Sequence, residues 1–117
     1  MFTISKQFTF SASHQLDHLP ASHPCARLHG HNYTVEVVLR SISLDERDFV
    51  LDYNELRVFN DWITTTFDHR HLNDVLPVPP TAENIARHLY KWAKEHWPVV
   101  TAVKVSETSK TWATYEE

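Results

Sequence analysis

The chain has 117 residues, 42% hydrophobic and 22% charged, and a formal net charge of −4 with histidine neutral. That is the size and composition of one soluble globular domain. It excludes general nucleic-acid binding, which needs a basic face opposite phosphates, and no apolar run is long enough to span a bilayer.

Nine histidines stand beside one glycine and one cysteine. Histidine is the commonest metal ligand. A single cysteine cannot form an internal disulfide, so Cys25 is free, metal-bound or catalytic. The first residues lack a basic segment followed by an apolar run, so no signal peptide is expected and a cytoplasmic location fits.

From Phe2 to Ser11, apolar residues alternate as Phe2, Ile4, Phe8 and Phe10, which predicts a strand with one slip near Lys6–Gln7. Residues 15–28 hold Pro20, Ser22 and Pro24 among charged and histidine positions, and read as a long loop; such loops in compact domains are often functional. His31 to Ser41 places Tyr33, Val35, Val37 and Leu39 on one face of a second strand. Asp52 is an N-cap, with Glu55 completing a capping box. Leu56, Phe59, Trp62 and Ile63 then carry a helix to about Thr66. Residues 68–80 are irregular. Thr81 caps a second helix, with Glu83 complementing its dipole and Ile85, Leu89, Trp92 and Ala93 as its apolar face. Pro98 ends it. Val99–Glu107 and Lys110–Tyr115 close the chain as two strands. The order is strand, strand, helix, helix, strand, strand. It predicts an α+β fold: a four-stranded antiparallel sheet with two helices on one face.

His29 and His31 flank Gly30. On a strand, residues two apart share a face, so two imidazoles point the same way. His14 lies just past the first strand. If the first two strands are hairpin partners, it joins the pair. Three neutral imidazoles with an open fourth position are the ligand set of catalytic zinc. In a second reading, Cys25 supplies the fourth ligand of a closed structural site. Cys25 needs electropositive neighbours to ionise, and Arg27 or a metal would serve. Asp68 and His69 offer a carboxylate–imidazole pair of the kind that relays a proton to a thiol, or else lie in a solvated polar loop. Glu107, at the end of an apolar strand, suits a ligand with two adjacent N–H donors, such as a pterin or guanine ring. The alternative is an edge charge that prevents strand aggregation.

Six segments taken together resemble the 6-pyruvoyl-tetrahydropterin synthase family over nearly the whole chain. They are Phe10-Ser11-Ala12-Ser13-His14, Cys25-Ala26-Arg27-Leu28-His29-Gly30-His31-Asn32-Tyr33, Asp52-Tyr53, Asp68-His69, Pro80-Thr81-Ala82-Glu83-Asn84 and Glu107-Thr108. The short Cys25 to His29 spacing is more similar to the 6-carboxy-tetrahydropterin synthase branch of queuosine biosynthesis than to the pyruvoyl-forming branch.

The resemblance implies one such domain over residues 1–117 with the tunnelling fold, assembled as trimers stacked into a homohexamer. It implies zinc on His14, His29 and His31. Cys25 would be the proton-abstracting base, with Asp68 and His69 of a neighbouring subunit completing the relay. Glu107 would anchor the pterin ring of 7,8-dihydroneopterin triphosphate, helped by Thr108, Thr81 and Glu83. Ala82 departs from relatives that carry a hydroxyl there. Two other readings remain: pyruvoyl formation from the same substrate, and a non-catalytic zinc-stabilised binding domain. A structural zinc site alone would need neither Cys25 nor the Asp68–His69 pair.

Overall fold

The computed structural model describes residues 1–117. Its spine is a long antiparallel hairpin of β1 (Phe2–His14) and β2 (His29–Ser41), paired without interruption from Phe2 opposite Ser41 to His14 opposite His29. The even residues of β1 and the odd residues of β2 share the inner face. There Phe8, Phe10, Ala12, His14, Tyr33, Val35, Val37 and Leu39 are buried.

The expected slip near Lys6–Gln7 does not occur. Lys6 takes an inward position and keeps the period of two, with its ammonium 5.7 Å from the centre of the Phe8 ring. A long aliphatic stem can lie along an apolar face while its charged head reaches outward. β1 also runs three residues beyond the predicted end, so His14 is its last residue rather than a residue past it.

The second predicted helix boundary holds, and the first is modified. Asp52 Oδ1 accepts the Asn54 N–H at 2.9 Å. A 3₁₀ turn, Tyr53–Leu56, follows before helix α1 (Arg57–Thr66) begins. Glu55 does not complete a capping box; its carboxylate pairs with Arg47 at 4.0 Å. Thr81 caps α2 (Ala82–His96) through its hydroxyl, which accepts the Asn84 N–H at 3.1 Å.

Between the helices, where the sequence predicts irregular chain, lies β3 (Arg70–His71), parallel to β1 at Ala12 and Ser13. The last strands are β4 (Val100–Thr108) and β5 (Thr111–Glu116). The sheet is therefore mixed and five-stranded, in the order β3-β1-β2-β4-β5, rather than four-stranded and antiparallel. Two residues are too few to show a period, so β3 could not be read from patterning.

Both helices cover the inner face. Phe59 and Ile63 of α1, and Ile85, Ala86, Leu89, Tyr90 and Ala93 of α2, join the inward strand residues in one core. The other face is polar and open, with Gln7 bonded to Glu36 and Ser11 to Asn32. This is the usual division of an antiparallel sheet with one solvated face. No helix is long and apolar enough to cross a membrane.

Candidate active site

Strand pairing builds the centre of the site. His14 and His29 are direct cross-strand partners, and His31 is two residues along the same face. Partners of this kind hold their Cβ atoms about 5 Å apart. The three side chains present ligand nitrogens that all lie within 4.8 Å of one another. Cys25 is not among these mutually close donors.

Backbone carbonyls orient two of the rings. His29 Nδ1 donates to the Arg27 carbonyl at 2.6 Å. His14 Nδ1 lies 2.8 Å from the carbonyl of the buried Pro80 and 3.2 Å from the Tyr33 hydroxyl. With both Nδ1 atoms turned to carbonyls, the Nε2 atoms of His14 and His29 face each other at 2.9 Å. His31 Nε2 is buried and has no hydrogen-bond partner.

Two facing imidazole nitrogens beside an orphaned third are a poor arrangement for a metal-free core, since buried polar atoms are normally paired. They are a good arrangement for a cation that takes three lone pairs, with the outer nitrogens fixed by carbonyls. The residues therefore fit a metal ion. Burial holds the pKa of His14 below its usual value despite the opposing Pro80 carbonyl and Glu107 carboxylate. It does the same for His31, again against Glu107. Both shifts favour the neutral, ligating form. Burial also raises the Tyr33 hydroxyl pKa, so Tyr33 keeps its proton.

Glu107 borders the cluster, its carboxylate 3.7 Å from His31 Nε2. A bulge in β4 between Val105 and Thr108 accompanies its placement, and bulges commonly re-aim a side chain. Glu107, Thr81 and Glu83 line one cavity of about 490 Å³ with Leu16, Thr111 and Trp112. Thr108 does not line it. That residue faces the neighbouring groove on the open side, and its hydroxyl lies 3.1 Å from that of Thr111. Ala82 also borders the first cavity without a hydroxyl to offer.

Cys25 is partly exposed on a 3₁₀ turn (Pro24–Ala26). Its N–H donates to His23 Nδ1 at 3.1 Å, and its carbonyl accepts the Leu16 N–H at 3.0 Å. Asp68 and His69 are joined at 2.8 Å through Oδ2 and Nδ1. The Ser11 N–H donates to Asp68 Oδ1 at 2.9 Å, and this bond, followed by the His69 ring, lowers the Asp68 pKa. His69 has a left-handed φ of 58° and a side chain 83% exposed. It lines a polar cavity of about 520 Å³ with Ser11, Ser13, His31, Asn32 and His71. Ser11, Ser13 and Asn32 belong to the open face, whereas the three histidine rings lie on the helix-covered face. Within one chain the Asp68–His69 pair sits at the β3 edge of the sheet, tied to the Ser11 backbone, and does not line the cavity that holds Glu107.

Sequence reasoning missed the Arg27 and Pro80 carbonyls, Tyr33 and Trp112. Only Tyr33 had a signal, since it shares the inward face with His29 and His31. Gly30, between those ligands, points to the open face. A Cβ there would stand 3.2 Å from the Ala12 carbonyl oxygen.

Comparison with known proteins gives a consistent result. Residues 3–117 match the family model described as 6-pyruvoyl tetrahydropterin synthase. A Synechocystis protein named 6-carboxy-5,6,7,8-tetrahydropterin synthase is 35% identical, the match spanning 98% of this chain and 93% of that protein. A Bacillus subtilis protein of the same name is 28% identical over 97% of this chain and 84% of its own length. The solved structure of Caenorhabditis elegans 6-pyruvoyl tetrahydropterin synthase superposes with a TM-score of 0.87 at 27% identity, covering 99% of this chain and 95% of that one.

Proposed function

The chain belongs to the 6-pyruvoyl tetrahydropterin synthase family, and from that membership we propose that it is a zinc-dependent 6-carboxy-5,6,7,8-tetrahydropterin synthase. It converts 7,8-dihydroneopterin triphosphate and one water to 6-carboxytetrahydropterin, acetaldehyde and triphosphate, and serves queuosine or another 7-deazapurine pathway. The carrying observation is the convergence of His14, His29 and His31 beside the Glu107 cavity. The carboxy-forming product rests on the names of the Synechocystis and Bacillus subtilis relatives and on the short Cys25–His29 spacing.

His14, His29 and His31 hold the zinc ion, which supplies Lewis acidity to the side-chain hydroxyls of the substrate and to the bonds next to them. Glu107 accepts adjacent N–H donors of the pterin ring, with Thr81, Glu83 and Thr108 around it. Cys25, as thiolate, removes a proton from the substrate side chain. His69 carries a proton on the other side of the reacting carbons, and Asp68 holds the imidazole in one tautomer. The exposed His69 ring suits a role in a neighbouring subunit's site within a homohexamer.

Incubation of the zinc-loaded protein with 7,8-dihydroneopterin triphosphate, followed by mass spectrometry, tests the reading. Acetaldehyde and 6-carboxytetrahydropterin support it. 6-Pyruvoyl-tetrahydropterin would assign the other branch, and unchanged substrate would leave a binding domain.

A further inference from the structure

We propose that Asn73 is a positioning residue for Cys25: its side-chain amide clasps the backbone of Gln15 and so fixes the loop that carries the thiol. The proposal rests on the reading in which Cys25 is the base of the reaction proposed above.

Residues 15–28 join β1 to β2. Within that loop both backbone groups of Cys25 are bonded. Its N–H donates to His23 Nδ1, and its carbonyl accepts the Leu16 N–H at 3.0 Å. The second bond places Cys25 only as firmly as Leu16 is itself placed. Asn73 supplies that support. Its Oδ1 accepts the Gln15 N–H at 2.8 Å, and its Nδ2 donates to the Gln15 carbonyl at 2.7 Å. The Gln15 carbonyl and the Leu16 N–H belong to one peptide group, which is planar and rigid. Asn73 holds one edge of that plane, and the Cys25 carbonyl meets the other. Rotating the plane breaks both bonds.

Asn73 takes over where β3 stops. Arg70 pairs with Ala12 and His71 with Ser13. Asn73 meets Gln15 at the same offset of 58 positions, although its backbone has by then entered a 3₁₀ turn, Leu72–Asp74. An asparagine amide carries the donor and the acceptor of a peptide group, so the side chain continues a ladder that the backbone has left. The other end of this segment bears the acid–base pair. The His69 N–H donates to the Ser11 carbonyl at 2.6 Å, and Asp68 accepts the Ser11 N–H. The Cys25 loop and the Asp68–His69 pair are thus fixed at two ends of one run of bonds along β1. Asn73 bonds to no histidine ring. His14 is placed by its rung with His29 and by the Pro80 carbonyl.

The test is Asn73→Ala, which removes both bonds to Gln15. Zinc content should equal that of wild type and KM should stay within about twofold, while kcat falls about ten- to a hundredfold, as for a misplaced reacting group. Hydrogen-exchange mass spectrometry reads the clasp without turnover. Peptides covering residues 15–28 should exchange faster in the variant, and those of β2 at the wild-type rate. Asn73→Asp keeps the shape and the acceptor but loses the donor. It should show the same two changes, and it serves if the alanine variant does not fold. Wild-type kcat, or wild-type exchange of the loop, in a folded variant overturns the proposal. So does loss of zinc, which would make Asn73 a support of His14 instead. A wild-type protein without turnover would overturn the reading of the reaction, and loop exchange would then decide the clasp alone.

Discussion

His14 and His29 occupy the final rung of the β1–β2 ladder, and their Nε2 atoms stand 2.9 Å apart. Strand pairing sets their Cβ positions, and the Pro80 and Arg27 carbonyls, from the segments before α2 and before β2, meet their Nδ1 atoms. His31 completes the set from the same strand face. Its buried Nε2 has no other partner, so His31→Ala should lose most bound zinc and nearly all turnover. Metal analysis of the purified variant checks this; full zinc occupancy would remove His31 from the ligand set.

Cys25 lies outside the set of mutually close donors. The Cys25→Ala variant should therefore keep its zinc and lose turnover. Loss of the metal along with the thiol would establish a closed four-ligand site and end the catalytic assignment of Cys25.

Glu107 lines the cavity at the edge of the histidine cluster. Glu107→Gln keeps the shape but replaces an acceptor-only carboxylate with an amide. Since bonds to a charged partner are the stronger kind, KM for the pterin substrate should rise about tenfold or more. Zinc content should stay unchanged. A normal KM would mean that the ring binds elsewhere.

The pKa of Asp68 lies below its ordinary value of 3.8, first because of the Ser11 N–H and then because of the His69 ring. A lowered carboxyl value favours the ionised form in the folded chain. Its stabilising contribution is complete above the ordinary value and is lost as pH falls through the lowered one. Asp68→Asn should thus be less stable than wild type at neutral pH, with the gap in melting temperature closing between about pH 5 and pH 2. A gap that stays constant across that range would show that ionisation of Asp68 contributes nothing to the fold.

The Asp68–His69 pair lies at the β3 edge of the sheet, outside the cavity that Glu107 lines. If each active site is completed by a neighbour, two inactive variants, Cys25→Ala and His69→Ala, should regain some activity when dissociated and reassembled together. Verified mixed oligomers that remain inactive would place the whole site within one chain. Along β1, only Ala12 and Ser13 are covered by β3, which leaves the rest of that edge free for pairing between copies. A monomer in light scattering would sink the assembly.

The parts of this architecture legible in the sequence were those with a period or a local chemical rule. The inward face of β2, the shared face of His29 and His31, and the Thr81 cap all follow from spacing. The apolar alternation of β1 was legible too. Lys6, however, reads as a break in register, because a charged residue on an inward face is rare; its ammonium lies over the Phe8 ring instead. What stayed hidden was tertiary. No pattern in residues 68–80 announces a two-residue parallel strand, and no local rule assigns the Pro80 carbonyl to His14 across 66 positions. The roles proposed for Cys25, Asp68 and His69 rest on family resemblance, because spacing alone leaves each of them another reading.

Gly30, the only glycine in the chain, touches no ligand atom yet governs a mechanical tolerance. A Cβ at this position would stand 3.2 Å from the Ala12 carbonyl oxygen, on the strand that bears His14. Even a methyl group there would act as a shim, forcing the two backbones apart by a few tenths of an ångström at the point where three nitrogens must meet. The ligand spacing can thus be altered from the opposite side of the sheet, which makes Gly30→Ala a way to detune metal affinity without changing any donor.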